Sequence, residues 1–236
     1  MEIILVTGAN RGIGLALTRV LLANGDVVIA GCRKPDEASE LKQLALEHPE
    51  TIDLVKCDVD REEELAKAVE ASHRRREKLD VIVNNAAIMP EAGNESILNI
   101  DLNLISQAFN TNVLGAVRVI RAFYTMLARS ERPRIVNVSS GLGSISTREA
   151  YDYYAYSISK AALNMLTRSM ANELASSGVT TVAISPGWVR TDMGGANASL
   201  SPEESARSLA GTIARIGPNQ NGRFLSREGR DGEYPW

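Results

Sequence analysis

The chain predicts an α/β fold: a doubly wound, mainly parallel sheet flanked by helices on both faces. Three observations carry that expectation. An apolar strand runs straight into a glycine-rich loop and a helix, short β-rich runs alternate with helix-forming stretches, and 236 residues with 44% hydrophobic content suffice for one domain over 1–236 with a sizeable core. Residues 2–6 form the first strand, ended by Thr7-Gly8-Ala9-Asn10-Arg11-Gly12-Ile13-Gly14, and residues 13–23 follow with helical apolar spacing closed by Asn24-Gly25. Apolar runs at 27–30, 52–55, 81–83, 135–138 and 179–184 predict further strands. Helical stretches rich in Ala, Leu, Glu and Arg separate most of them, which makes the sheet parallel and covers both its faces. The two longest helical candidates, about 101–128 and about 151–176, are expected side by side after the fourth and fifth strands. Residues 187–202 lack periodicity and contain Gly194-Gly195-Ala196-Asn197, reading as a mobile loop able to close over a ligand.

Composition excludes several classes of function. With 26 basic and 29 acidic residues the formal net charge is −3, without the basic excess that binding a nucleic-acid backbone requires. No cationic leader precedes an apolar stretch and no run is long enough to span a bilayer, so a soluble, cytoplasmic protein with no membrane partner is expected. Cys32 and Cys57 read as buried free thiols rather than a disulfide or metal pair, and no metal is expected. A hydrolase lacks its G-x-S-x-G elbow, and the two histidines, His48 and His73, sit in polar helical surroundings that suggest exposure. Arg74-Arg75-Arg76 reads as the charged, solvated end of a helix.

The chemistry lies in spacing. Glycines at 8, 12 and 14 between a strand and a helix let main-chain N–H groups approach a pyrophosphate at a helix N-terminus. Where the second strand ends, Cys32-Arg33-Lys34 offers cations and no acid before Pro35; with Arg11 these suit a ribose 2′-phosphate, favouring NADP(H) over NAD(H). Tyr156 and Lys160 stand at i and i+4 of a predicted helix, which brings a phenol and an ammonium to one face. Ser139 and Ser140 follow the strand 135–138, at the carboxyl edge where open α/β sheets bind ligands.

Together, Thr7-Gly8-x-x-x-Gly12-x-Gly14, Asp58, Asn84-Asn85-Ala86-Ala87, Asn112-x-x-Gly115, Ser140, Tyr156-x-x-x-Lys160 and Pro186-Gly187 resemble the motif set of the short-chain dehydrogenase/reductase family, in order and over nearly the whole chain. The tail from Gly222-Arg223-Phe224-Leu225 to Pro235-Trp236, with Trp188 to Met193, is similar to its C-factor-like carbonyl reductase branch. The resemblance implies a Rossmann-like domain and an NADPH-dependent oxidoreductase that reduces a ketone, aldehyde or quinone. Tyr156 would be the general acid, Ser140 would hydrogen-bond the substrate oxygen, Lys160 would hold the nicotinamide ribose, and Asn112 would join a water relay to Lys160. The Lys160 ammonium is expected to lower the Tyr156 pKa toward the working pH. Cofactor contacts are expected at Gly8, Asn10, Arg11, Gly12, Ile13, Gly14, Arg33, Asp58, Val59, Asn85, Ala86, Tyr156, Lys160, Pro186, Gly187, Val189 and Thr191. Ala87 replaces the family's usual glycine, a methyl expected to be tolerated, while Tyr151, Tyr153 and Tyr154 lack a lysine partner and are assigned to core, pocket wall or surface. Residues 187–202 and 142–154 would shape the substrate pocket, with Trp188, Met193 and Met89 making it apolar. By analogy the two long helices would build a homodimer or homotetramer. The alternative is a dinucleotide-binding regulatory or signalling protein of the same fold with little catalysis.

Overall fold

The structure, a computed structural model, describes residues 1–93, 95–149 and 152–236. In chain order it runs β1 (Ile3–Thr7), α1 (Gly12–Ala23), β2 (Val27–Cys32), α2 (Ser39–Glu47), β3 (Ile52–Lys56), α3 (Glu62–His73) and β4 (Val81–Asn84). It continues through α4 (Leu102–Phe109), α5 (Gly115–Leu127), β5 (Arg134–Val138), α6 (Tyr154–Glu173), β6 (Thr180–Ile184), α7 (Pro202–Arg215) and β7 (Phe224–Leu225). These strands form one sheet in the order β3-β2-β1-β4-β5-β6-β7, every neighbouring pair parallel. The strand order therefore reverses between β1 and β4, and a ligand crevice opens where a doubly wound sheet switches direction.

The period-two alternation of the strands builds two cores. Val6, Val28, Ala30, Val83 and Val136 face Leu17 and Leu21 of α1, Leu41 and Leu44 of α2, and Leu209 and Ile213 of α7. Leu5, Ile29, Ile82 and Ile135 face the other way, onto Leu65 of α3, Phe123 and Met126 of α5, and Met170 of α6. Because both faces are covered, β2, β5 and β6 are buried along their whole length, as buried parallel strands are. Among the described residues no helix is long and apolar enough to cross a membrane.

Four local departures from the sequence reading have physical causes. The expected helix at 101–128 is interrupted by a π-helical turn, Asn110–Leu114, after which Gly115 lies so close to Val59 that a Cβ there would meet its Cγ2 at 2.9 Å. α6 begins at Tyr154, later than expected, after Tyr153 adopts the left-handed region (φ 51°); Ala150 and Tyr151, at the expected start, lie outside the described residues. α4 does pack beside α6. β7 is a two-residue strand, too short to register as an apolar run. Residues 187–202 carry no helix before Pro202 but are pinned by a bridge between Val189 and Leu200.

The charged groups also refine the sequence reading. His73 is exposed, whereas His48, at the end of α2, is half-buried. Arg74 is solvated as expected, but Arg75 and Arg76 are not idle charge: they clamp the buried Asp53 of β3 at 2.8 and 2.6 Å. At the amino edge of the sheet, the side chain of Arg134 is fully buried, donates to the Ile213 carbonyl at 2.8 Å and pairs with the Glu2 carboxylate. Burial lowers its pKa, opposed by Glu2. Glu2→Ala would strand that guanidinium, and the expected loss in unfolding free energy, read from urea melts, is about 3 kcal/mol. Glu37→Ala, which removes the exposed partner of Lys34, is expected to cost about 0.5 kcal/mol or less.

Candidate active site

The carboxyl edge of the sheet is tied together at the switch point. The Thr7 hydroxyl accepts the N–H groups of Asn85 and Ala86, each at 3.0 Å, and donates to the Val83 carbonyl at 3.3 Å. The Asn85 amide donates to the Thr7 carbonyl at 2.8 Å. This ties β1 to β4 so tightly that a Cβ on Gly8 would lie 3.0 Å from Ala86 Cα, and α1 sits so close on the loop that one on Gly14 would lie 2.2 Å from the Gly8 carbonyl oxygen. Gly8 also has φ +67°. α1 then starts with no side-chain cap and no acid in its first turn, leaving its first main-chain N–H groups for an anion. A cradle that admits no side chain, with uncapped amides at its floor, fits the pyrophosphate of a dinucleotide.

A cavity of about 680 Å³ opens above this cradle. Of the positions expected to contact the cofactor, all but Asp58, Gly187 and Val189 line it. Asp58 instead accepts the Asp60 N–H at 3.2 Å and shapes the turn after β3; Asp60 takes its place in the wall, its carboxylate accepting from Asn110 and Thr111 at 3.0 Å each. Gly187 backs onto Leu200, and Val189 is buried in its bridge to the same residue. Ala87 lines the cavity. So do both cysteines, which are free and buried, and burial pushes the Cys57 thiol up to about 12.

The cations divide. Arg33 lines the cavity and forms no ion pair among the described residues, but Arg11 reaches across the cleft to Asp192 at 2.6 Å and Lys34 turns to Glu37 at 3.0 Å. Asp192 acquires its meaning only through a neighbour the fold supplies, whereas Glu37 stands three residues after Lys34, in the turn that follows β2. Met193 lines the cavity, whereas Trp188 is 57% exposed and donates its indole N–H to the Gly194 carbonyl at 2.9 Å.

α6 carries Tyr156 and Lys160 into the cavity wall one turn apart, only 8% and 2% exposed, with Lys160 Nζ 5.4 Å from the tyrosine ring centre. Ser140, which caps the short turn after β5 by accepting the Leu142 N–H at 3.2 Å, sits beside the Tyr156 phenol. Burial pushes that phenol up to about 12; the Ser140 hydroxyl opposes the rise and the Glu91 carboxylate adds to it. The expected lowering by Lys160 is therefore not found. The same burial pulls the lysine down to about 7, and its Nζ donates to the Val138 carbonyl at 2.8 Å. Asn112 does not touch Lys160 directly. The π-turn aims its side chain at Ile88, with which it exchanges hydrogen bonds at 2.8 and 2.9 Å, and at the Ser159 hydroxyl at 2.9 Å.

Glu91 is the residue the sequence reading missed altogether. It is 5% exposed, one carboxylate oxygen accepts the Tyr156 main-chain N–H at 2.6 Å, and the other is buried without a partner. An acid in an irregular loop has no periodicity or spacing to mark it. Ser139, which follows β5, is held to Asn164 at 2.6 Å and does not join the Tyr156 group.

Residues 2–200 match the short chain dehydrogenase family. The chain belongs to the short-chain dehydrogenase family. It is an oxidoreductase by that membership, and its fold is the Rossmann-like fold of the family. Among solved structures it is similar to the carbonyl reductase Sniffer of D. melanogaster, 32% identical with full coverage of both chains and a TM-score of 0.93. It is also similar to an NADPH-bound carbonyl reductase from chicken fatty liver, 33% identical over 100% of this chain and 99% of that one, with a TM-score of 0.92. Among short-chain dehydrogenase relatives by sequence, C-signal of Myxococcus xanthus is 38% identical over 159 residues, 67% of this chain and 93% of that protein.

Lys160 binds a proton less readily in the folded protein than in the unfolded chain, where its pKa is the ordinary 10.5. Its charged form thus costs stability in full below a pH of about 7, and the cost fades as pH rises from there toward 10.5. Lys160→Met is expected to melt several degrees above the parent at about pH 6 and to converge with it near pH 10. A melting temperature equal to the parent's at the lower pH would contradict the burial of a charge.

Proposed function

We propose that this oxidoreductase is an NADPH-dependent carbonyl reductase that converts a ketone, aldehyde or quinone to an alcohol. The observation that carries the reading is the buried Tyr156–Lys160 pair, with Ser140 on the phenol, in the wall of a cavity whose floor fits a pyrophosphate. Gly8, Gly12 and Gly14 would cradle the cofactor's phosphates, with Ile13, Asn85 and Ala86 beside them. When bound, the reduced nicotinamide supplies the hydride that reaches the carbonyl carbon.

The chain's own residues manage the proton. A phenol with its pKa near 12 is fully protonated at neutral pH, so Tyr156 stands ready to give its proton to the carbonyl oxygen as negative charge grows there. Ser140 donates a hydrogen bond to the same oxygen. Lys160, with its pKa near 7, exchanges protons readily at neutral pH and can restore the phenol after each turnover. Asn112 holds the loop after β4 at Ile88 and, through Ser159, the first turns of α6.

Arg33 supports the choice of NADPH, since it lines the cavity beyond β2 with no carboxylate attached, and the chicken relative is described as NADPH-bound. Arg11 joins it on releasing Asp192. The exposed apolar side chains of α4 and α6, Leu102, Ile158 and Met165 among them, suit the packing of a second copy into a homodimer or homotetramer.

NADPH absorbance followed against aldehydes, diketones, quinones and ketosteroids is the direct test. Tyr156→Phe is expected to lower kcat about a thousandfold while the NADPH dissociation constant stays within about twofold; an active Phe variant would remove Tyr156 from the acid role. Tight NADPH binding without oxidation of any of these compounds would favour instead a dinucleotide-binding signalling protein, the reading kept open by the likeness to C-signal. Arg33→Ala is expected to raise the KM for NADPH about tenfold and to leave that for NADH nearly unchanged, in initial-rate assays with both coenzymes.

A further inference from the structure

The turn that carries Ser140 is held between two layers. Its inner side rests on α6: a Cβ on Gly143 would lie 2.8 Å from the Lys160 main-chain carbon, and the Asn164 amide donates to the Gly143 carbonyl at 3.1 Å. Its outer side is covered by the far end of the chain. A Cβ on Gly141 would lie 2.8 Å from Tyr234 Cε1, the Ser144 hydroxyl donates to the Pro235 carbonyl, and the Ser146 hydroxyl donates to a Trp236 main-chain oxygen at 2.7 Å.

That covering segment is itself anchored. The ring of Phe224, buried in β7, lies 5.4 Å from the Tyr234 ring and 5.6 Å from the Trp236 ring. A tight return links them, with an antiparallel bridge between Leu225 and Asp231 and ion pairs of Arg223 with Asp231 at 3.2 Å and Arg230 with Glu233 at 2.8 Å. Trp236 is 40% exposed and Ile145 74% exposed, so beyond this segment the turn meets solvent.

We infer that residues 234–236 act as an aromatic strap that presses the Ser140 turn onto α6, so that the serine hydroxyl is held against the Tyr156 phenol. The inference rests on the carbonyl reductase reading. Tyr234 and Trp236 are positioning residues: the Tyr234 ring lies on Gly141, the Trp236 ring anchors on Phe224 the main chain that holds Ser144 and Ser146, and both act through the turn. Gly141 and Gly143 are then required by close approach on both sides, since any side chain at either would lift the turn from the helix or from the strap.

The test compares Tyr234→Ala/Trp236→Ala with Tyr234→Phe/Trp236→Phe in the full chain. The alanine pair is expected to lower kcat at least tenfold, the scale on which a misplaced catalytic group loses rate, while the NADPH dissociation constant stays within about twofold. Amide hydrogen exchange at Leu142, Gly143 and Ser144, whose N–H groups close the turn, is expected to accelerate in that variant. The phenylalanine pair keeps the rings and is expected to restore both. Unchanged turnover and exchange in the alanine pair would overturn the inference. So would a loss of turnover matched by loss of NADPH affinity and not rescued by phenylalanine, because that would mark general unfolding. Should the parent reduce no carbonyl compound, the functional reading fails, and hydrogen exchange alone still decides the strap: acceleration in the alanine pair sustains it, no change refutes it.

Discussion

The site depends on one contact: the closure of β1 against β4 through Thr7 and Asn85. One hydroxyl satisfies two main-chain N–H groups across the switch point, and one amide returns the bond to the Thr7 carbonyl. These bonds leave no room for a Cβ at Gly14 and bring α1 down with its uncapped amides facing the crevice. The glycines are needed because the strands are tied, and the cradle exists because the glycines let the backbones meet. Everything that reaches the crevice from β5 and β6 is measured from that fixed point.

Burial does opposing things to the two groups on α6. Removal from water favours the neutral form of each, so the phenol rises and the lysine falls. The pair at rest is thus closer to neutral phenol beside a readily deprotonated amine than to phenolate beside ammonium. Glu91 reinforces the neutral phenol, with one oxygen on the first turn of α6 and the other buried without a hydrogen-bond partner. Such an arrangement sacrifices stability for chemistry, as functional sites commonly do.

Much of this was legible in the residues. Strand positions followed from short β-branched runs, and the face of α6 followed from the i, i+4 spacing of Tyr156 and Lys160. Most of the cavity wall followed from glycine spacing and family likeness. Most of what escaped depends on a partner distant in the chain. The π-turn that aims Asn112 ends at Gly115, which packs against Val59, a tertiary contact that local periodicity does not encode. Arg75 and Arg76 read as solvated until β3 places Asp53 beneath them. The cations read as converging on one phosphate were right in number near the crevice and wrong in freedom: Asp192, far along the chain, takes Arg11, and Glu37, only three residues on, takes Lys34.

The Arg11–Asp192 pair has a consequence for how the crevice accepts a ligand. Both side chains are more than half exposed, at 67% and 79%, so the attachment between the glycine loop and the segment after β6 is worth at most about 1 kcal/mol in water. A doubly charged phosphate arriving at Arg11 therefore needs only to displace a weakly held carboxylate. Swapping one anion for another on a single guanidinium would unfasten that rim of the crevice at almost no energetic penalty.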